Sequence, residues 1–187
     1  MGDSTGHGVS ASYISILVLN TLSRILSICC ENPGKILSTI NAELNRITQY
    51  SNGQKLTETA DMIVTCIDKN SMKLTYASAK MRSFIIRKGE LIVLDCDRCT
   101  IGEDVASAFE ITNRTVDIYD GDTYYIIFDG VIDQFGGAND KRFGFKRQSS
   151  LLLNIQEYSM PEQKKIIEDA LCQWQDKDEQ TDDITFL

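Results

Sequence analysis

From residue 9 to residue 28 the chain is dense in Ile, Leu and Val and nearly free of charge. Tyr13, Ile14, Leu17, Val18, Leu22, Ile25 and Leu26 recur at helical spacing. Apolar residues fall on the other faces too, which predicts a helix buried on most sides. Asn32-Pro33 reads as an N-cap followed by proline at the first helical position. Ile36, Leu37, Ile40, Leu44 and Ile47 then make one stripe of a second helix, which ends before the polar loop around Asn52-Gly53. After that loop the period changes. Residues 62–67 and 73–77 read as strands about a turn at Asn70, and 83–87 and 91–94 flank Lys88-Gly89-Glu90, a hairpin signal. Residues 110–117 alternate well enough for another strand. Residues 123–128 form a continuous β-like run, which predicts burial on both faces, and the run stops at Asp129-Gly130. Two more helices follow, one over 146–158 and one starting at Pro161 that carries Ile166, Ile167, Ala170, Leu171 and Trp174. Residues 182–187 look like a turn entering a strand.

The order is two helices, a meander of strands, two helices and a final strand. Short turns between consecutive strands imply antiparallel pairing, and helices segregated from strands imply α+β rather than βαβ units. A chain of 187 residues is long enough for one domain with a sizeable core, so 1–187 is expected to be a single domain. Its two ends read as incomplete elements. The last run is only about four residues long, and the opening MGDSTGHGVSAS is an acidic, glycine-rich turn with no strand before it.

The formal net charge of −8 repels phosphate backbones, so a nucleic-acid partner is not expected. Excess carboxylate is compatible with divalent cations, although most such charge is solvated surface. Of the six cysteines, Cys29 and Cys30 lie in an apolar run and Cys66 in a β-like one. Cys96 and Cys99 form a single C-x-x-C. A zinc site needs about four ligands, and no second pair or nearby histidine supplies them, so packed, reduced thiols are expected. Reduced thiols point to the cytoplasm. Asn113-Arg114-Thr115 matches a glycosylation acceptor, which means little there. No apolar run of about 20 residues suggests a membrane span.

Three acidic sites share one local grammar. Asp3 precedes Gly6-His7-Gly8 at the mouth of a helix, Asp129-Gly130 ends the most hydrophobic strand, and Asp182-Asp183 stands just before the last one. Taken singly, these are a helix cap, a turn and a solvated pair. If the element ends lie side by side, carboxylates converge and repel unless a cation is present. Oxygen donors without His or Cys favour Mg²⁺ or Mn²⁺ over zinc.

Together they resemble a known family. GDSTGHGVSAS is similar to the Asp-x-x-Gly-His-Gly-x-x-Ala motif of the metal-dependent PPM protein phosphatases, in their SpoIIE-like bacterial branch. FDGVID resembles that family's Ser-Asp-Gly-[Val/Leu] motif, with Phe128 in place of Ser. FGFKRQSSLL resembles its Phe-Gly-x-x-Arg-Leu segment, and DDITFL its closing Asp-Asp-[Ile/Met]-Thr. The four motifs come in the family's order and span nearly the whole chain. The resemblance implies an α-β-β-α sandwich of two antiparallel sheets flanked by helices, with a binuclear Mn²⁺ or Mg²⁺ site. Asp3 would bridge the two metals, the Ser4 carbonyl would bind one of them, and Asp129 and Asp182 would complete the other, with Asp183 in support. These residues would position a metal-bridging hydroxide for in-line attack on phosphorus. His7, the one histidine, is either a general acid or a packed turn residue, and the motif does not fix which.

The family pattern normally opens earlier, with a strand carrying Gly-Gly-Asp-x-Tyr. That tripeptide does not occur here, and Gly136-Gly137-Ala138 is no substitute. The expectation is therefore a domain starting at the family's second motif, lacking its first strands, with the second metal site compromised and activity weak or absent. The implied substrate is phosphoserine or phosphothreonine on a regulatory protein of the anti-sigma-factor-antagonist type. An upstream sensor domain is expected in the native protein, and no membrane contact by this one. Two other readings stand beside this one. One is a non-catalytic phosphatase-fold interaction domain, and the other an ATP-binding kinase-like module, since Asp-x-x-Gly-x-Gly also occurs in ATP lids. The latter leaves Asp129 and Asp182 unexplained.

Overall fold

The computed structural model of the chain describes residues 1–4, 9–26, 32–48, 59–103 and 111–187. These form two compact units. One contains Met1–Met81 and Asp95–Tyr119, the other Arg82–Leu94 and Asp120–Leu187. The first holds a four-stranded sheet and the second a three-stranded sheet and a two-stranded hairpin, and every pair of these strands is antiparallel, as the short turns imply.

The first unit carries strand β1 (Gly2–Ser4), helices α1 (Val9–Leu26) and α2 (Pro33–Thr48), and strands β2 (Ala60–Asp68), β3 (Lys73–Ala79) and β6 (Arg114–Asp117), with sheet order β1-β2-β3-β6. The β2–β3 turn is built by Asp68, whose carboxylate accepts from Asn70 N, Ser71 N and the Ser71 hydroxyl. At the start of α2, Lys35 N donates to Asn32 Oδ1, so the N-cap is present as the sequence predicts. Ile36, Leu37, Ile40 and Leu44 point inward from α2 onto Met62, Ala77, Ala79 and Ile101.

Two expectations fail here. Helix α1 is buried along one stripe only, with Ala11, Ile14, Val18 and Thr21 inward, while Val9, Ile16 and Leu19 are 89%, 56% and 62% exposed. Its apolar density overstates its burial, because packing partners among the described residues lie on one side. Of the strand expected over 110–117, Glu110 lies outside the described residues and the strand begins only at Arg114. Asn113, just before it, is held by the start of α2 instead. Asn113 accepts from Gly34 N and donates to Asn32, and a side chain at Gly34 would lie 2.6 Å from the Ile111 carbonyl oxygen.

The second unit carries β4 (Ser83–Arg87), β5 (Glu90–Leu94), β7 (Thr123–Ile126), α3 (Gly130–Asp133), the short hairpin β8 (Phe135–Gly136) and β9 (Lys141–Arg142), α4 (Gly144–Ile155) and α5 (Met160–Gln175). Its sheet runs β5-β4-β7. Lys88 and Gly89 form the two-residue β4–β5 turn with φ of 50° and 81°, the left-handed pair that matches strand twist. Phe84, Ile86, Tyr125 and Ile127 meet Leu152, Ile155, Ile167 and Leu171 in the core. Helix α5 opens on a capping box in which Ser159 and Glu162 bond reciprocally. Helix α4 stops at Ile155 rather than 158, where Tyr158 N turns back to the Ile155 carbonyl. The chain's last residues pair with the end of β7, Phe128 N donating to Thr185 O and Leu187 N to Ile126 O.

Candidate functional site

In the second unit, the buried run of β7 delivers Asp129 to an exposed position directly after Phe128. Asp129 sits where an N-cap of α3 would, but its side chain makes no capping bond. Its carboxylate is therefore not spent on the helix. The pairing of Phe128 N with Thr185 O brings Asp182-Asp183 alongside the same turn. Gly130 measures how closely: a Cβ there would stand 2.3 Å from the Asp183 carbonyl oxygen and 3.3 Å from the Asp182 carbonyl carbon. Asp129 and Asp182-Asp183 are thus neighbours through backbone contact, although they lie far apart in sequence. Asp182 and Asp183 are both exposed. The Asp182 carboxylate accepts from Asp183 N at 2.7 Å, and its backbone carbonyl from Gln180 Nε2 at 2.8 Å. Among the described residues, no ion pair ties up any of the three.

In the first unit, Asp3 is not a helix cap. It lies in the middle of β1, an edge strand, paired opposite Asp61 of β2. Directly opposed residues of an antiparallel pair point to the same face, so two carboxylates share one side of this sheet edge. Between β1 and α1 lies a pocket of about 250 Å³, lined by Asp3, Ser4, Ser15, Leu22 and Met62 among others but not by Asp61. The strand is fixed from its first residue, since Ile63 N donates to the Met1 carbonyl and the Met1 amino group to the Ile63 carbonyl, both at 2.9 Å. Ser4, whose carbonyl the resemblance assigns to a metal, ends β1. His7 lies outside the described residues, as do Cys29 and Cys30. Asp61 is the acidic residue that sequence reading missed. Its only signal is an aspartate opening an otherwise apolar strand.

In the second unit the side-chain donors are the exposed carboxylates of Asp129, Asp182 and Asp183, and oxygen donors of this kind fit a hard divalent cation such as Mg²⁺ or Mn²⁺. Among the described residues, no three His, Cys, Asp or Glu side chains gather into a single metal-holding group. The C-x-x-C pair adds no site. Cys99 is buried, and desolvation pushes its thiol up to about 11, which keeps it protonated and unreactive.

The FGFKRQSSLL segment proves to be architectural. Gly144 adopts φ 76°, a conformation that suits glycine. Phe143 is buried edge-on against Trp174, and the Arg147 guanidinium lies 4.1 Å over the Trp174 ring while donating to the Phe143 carbonyl. No helix among the described residues is long and apolar enough to cross a membrane.

The model of the family described as stage II sporulation protein E (SpoIIE) matches residues 1–187. No curated protein matches the chain. Among solved structures, it resembles the SiaA-PP2C domain of Pseudomonas aeruginosa at 24% identity, with TM-score 0.84, covering 99% of this chain and 72% of that one. It resembles the PP2C phosphatase domain of SpoIIE from Bacillus subtilis, solved with a fragment of its regulatory domain, at 16% identity and TM-score 0.70, covering 99% and 51%. It also resembles the catalytic domain of the serine/threonine protein phosphatase PstP in complex with two manganese ions, at 16% identity and TM-score 0.68, covering 99% and 83%. This chain therefore spans from half to four-fifths of those chains, and the likeness at such identities establishes the PP2C fold. With the family model matched from end to end, the chain belongs to the SpoIIE family, and it carries the PP2C fold.

Proposed function

We propose that this protein hydrolyses phosphoserine or phosphothreonine on a regulatory protein, using Asp3, Asp129 and Asp182 as its principal metal-holding residues. The observation that carries the reading is the junction in the second unit, where the backbone of Asp182-Asp183 abuts Gly130 and leaves Asp129 with no capping duty. Asp129 and Asp182 would hold one cation, with Asp183 in support. Asp3 and the Ser4 carbonyl would contribute from β1. Mn²⁺ or Mg²⁺ bound there acidifies a water and offsets the charge of the phosphate. The protein's own part is to hold these carboxylates on short, well-anchored backbone, so that little reorganisation is left for the moment of reaction.

The regulatory substrate is proposed from chemistry and likeness together. A net charge of −8 disfavours nucleic acid. A Mycobacterium tuberculosis structure of linked RsbU and RsbW domains shares the fold at TM-score 0.71, which supports a partner of the anti-sigma-factor-antagonist type. The same reading places the domain in the cytoplasm, next to a sensor domain of the native protein. The test is Mn²⁺-dependent hydrolysis of p-nitrophenyl phosphate and of a phosphoserine peptide, with calorimetric Mn²⁺ titration alongside. Asp129→Asn and Asp182→Asn should each lower turnover by more than roughly 100-fold and weaken Mn²⁺ uptake. Wild-type protein that takes up no Mn²⁺ would instead support a non-catalytic interaction domain.

A further inference from the structure

The segment carrying Asp182-Asp183 has no regular structure between the end of α5 and the short pairing at 185–187. Its placement depends on one side chain that none of the motifs contains. Gln134 follows α3 and is 0% exposed. Its carboxamide donates to the Glu179 carbonyl at 3.0 Å and to the Phe135 carbonyl at 3.0 Å, and its Oε1 accepts from Thr181 N at 3.2 Å. It thus offers residues 179–181 the donor and acceptor that a neighbouring strand would offer. The Gln134 backbone is held just as firmly. Its N–H donates to the Gly130 carbonyl, and its carbonyl accepts from Phe143 N and from the Trp174 indole N–H. The Thr181 hydroxyl adds a weak bond to the Asp133 carbonyl at 3.4 Å.

One end of this bonded chain is the turn that presents Asp129, and the other is the residue before Asp182. We infer that Gln134 is a positioning residue: its buried amide sets Asp182 and Asp183 against Asp129, and so sets the affinity of the cation they hold. This rests on the metal-site reading above. A carboxamide is needed for it. Glutamate of the same shape would face two carbonyl oxygens with no N–H to give, and methionine would satisfy neither Thr181 N nor Glu179 O.

The experiment compares wild type with Gln134→Glu and Gln134→Met, the second variant guarding against a buried charge that unfolds the first. Amide hydrogen exchange is followed at Thr181 without metal, and Mn²⁺ binding is followed by calorimetry. Expected is faster exchange at Thr181 with protection of the β4 amides kept. Mn²⁺ affinity should fall roughly 10- to 100-fold, the range for groups that orient metal ligands, with stoichiometry unchanged. A merely structural role would do the reverse, lowering the number of binding-competent molecules while those that remain bind at wild-type affinity. That result, or wild-type Mn²⁺ affinity in a variant whose Thr181 exchange has risen, overturns this inference and leaves the metal reading standing. Wild-type protein that binds no Mn²⁺ overturns both.

Discussion

At the scale of single residues, the most constrained position near the candidate site is Gly130. Its φ is not left-handed, so the requirement is space alone: a methyl group would stand 2.3 Å from the Asp183 carbonyl oxygen. The neighbouring backbone is not free to retreat, because Phe128 N holds Thr185 O and Gln134 holds Glu179 and Thr181. Gly130→Ala should therefore cost about 1–3 kcal/mol, the range for inserting a methyl into filled space. It should also weaken Mn²⁺ uptake, because relief comes by moving the residues that carry the carboxylates. Urea denaturation with and without Mn²⁺ checks both parts, and a wild-type midpoint in Gly130→Ala would mean that this backbone yields cheaply. Asp129-Gly130 and Asp182-Asp183 were legible in the sequence as short motifs. Asp61 and Gln134 were not, because each takes its meaning from a partner remote in sequence: Asp3 across a strand pair, and the backbone of 179–181.

At the scale of elements, a half-buried ion pair fastens β6 to the segment that follows β5. Arg114 meets Asp97 in a fork, Nη2 to Oδ1 at 2.6 Å and Nη1 to Oδ2 at 3.2 Å, and Thr112 N adds 2.9 Å to Oδ2. Burial pushes the Asp97 carboxyl up, but the bonds from Arg114 and Thr112 outweigh it and hold the group below its ordinary 3.8. A carboxylate whose folded value is depressed contributes stability above its unfolded value, and that contribution is lost as pH falls through the folded one. Urea midpoints should therefore drop as pH is lowered from 4 toward the depressed value. Asp97→Asn should lose about 2 kcal/mol at neutral pH and show a flatter acid limb. Acid limbs of equal slope in the two proteins would remove Asp97 from the account. Neither this pair nor the late start of β6 could be read from periodicity. The alternation over 110–117 is real, but side-chain bonds to Asn32 and Gly34 hold Asn113 outside the ladder. Helix α1 shows the same limit from the other side: its spacing predicts the helix, but of the residues at that spacing Ile14 and Val18 are buried while Tyr13 and Leu26 are exposed, because hydrophobic density cannot tell which faces find a partner.

At the scale of the whole molecule, the order of elements and the antiparallel pairing were legible because each follows from short turns between neighbouring runs. The division into two units was not. The chain leaves the first unit after Met81, returns at Asp95 and leaves again after Tyr119, so membership of a unit follows sheet pairing and not sequence proximity. The strands of two or three residues, β1, β8 and β9, are also too short to show a period. This division gives the metal proposal its sharpest consequence. Asp3 belongs to one unit and Asp129 to the other, so a cation that both carboxylates held would couple them thermodynamically, and that coupling is measurable. A cation that binds only the folded protein stabilises it by about 2.7 kcal/mol at a hundred times its Kd. If both carboxylates hold that cation, Asp3→Asn or Asp129→Asn alone should abolish most of the Mn²⁺-dependent increment. The double variant should then lose little more, a strongly non-additive cycle. If each acts on a separate ion, the two losses add. Denaturation of the four proteins at one fixed Mn²⁺ concentration, each referenced to its own metal-free midpoint, decides between a shared centre and two independent ones.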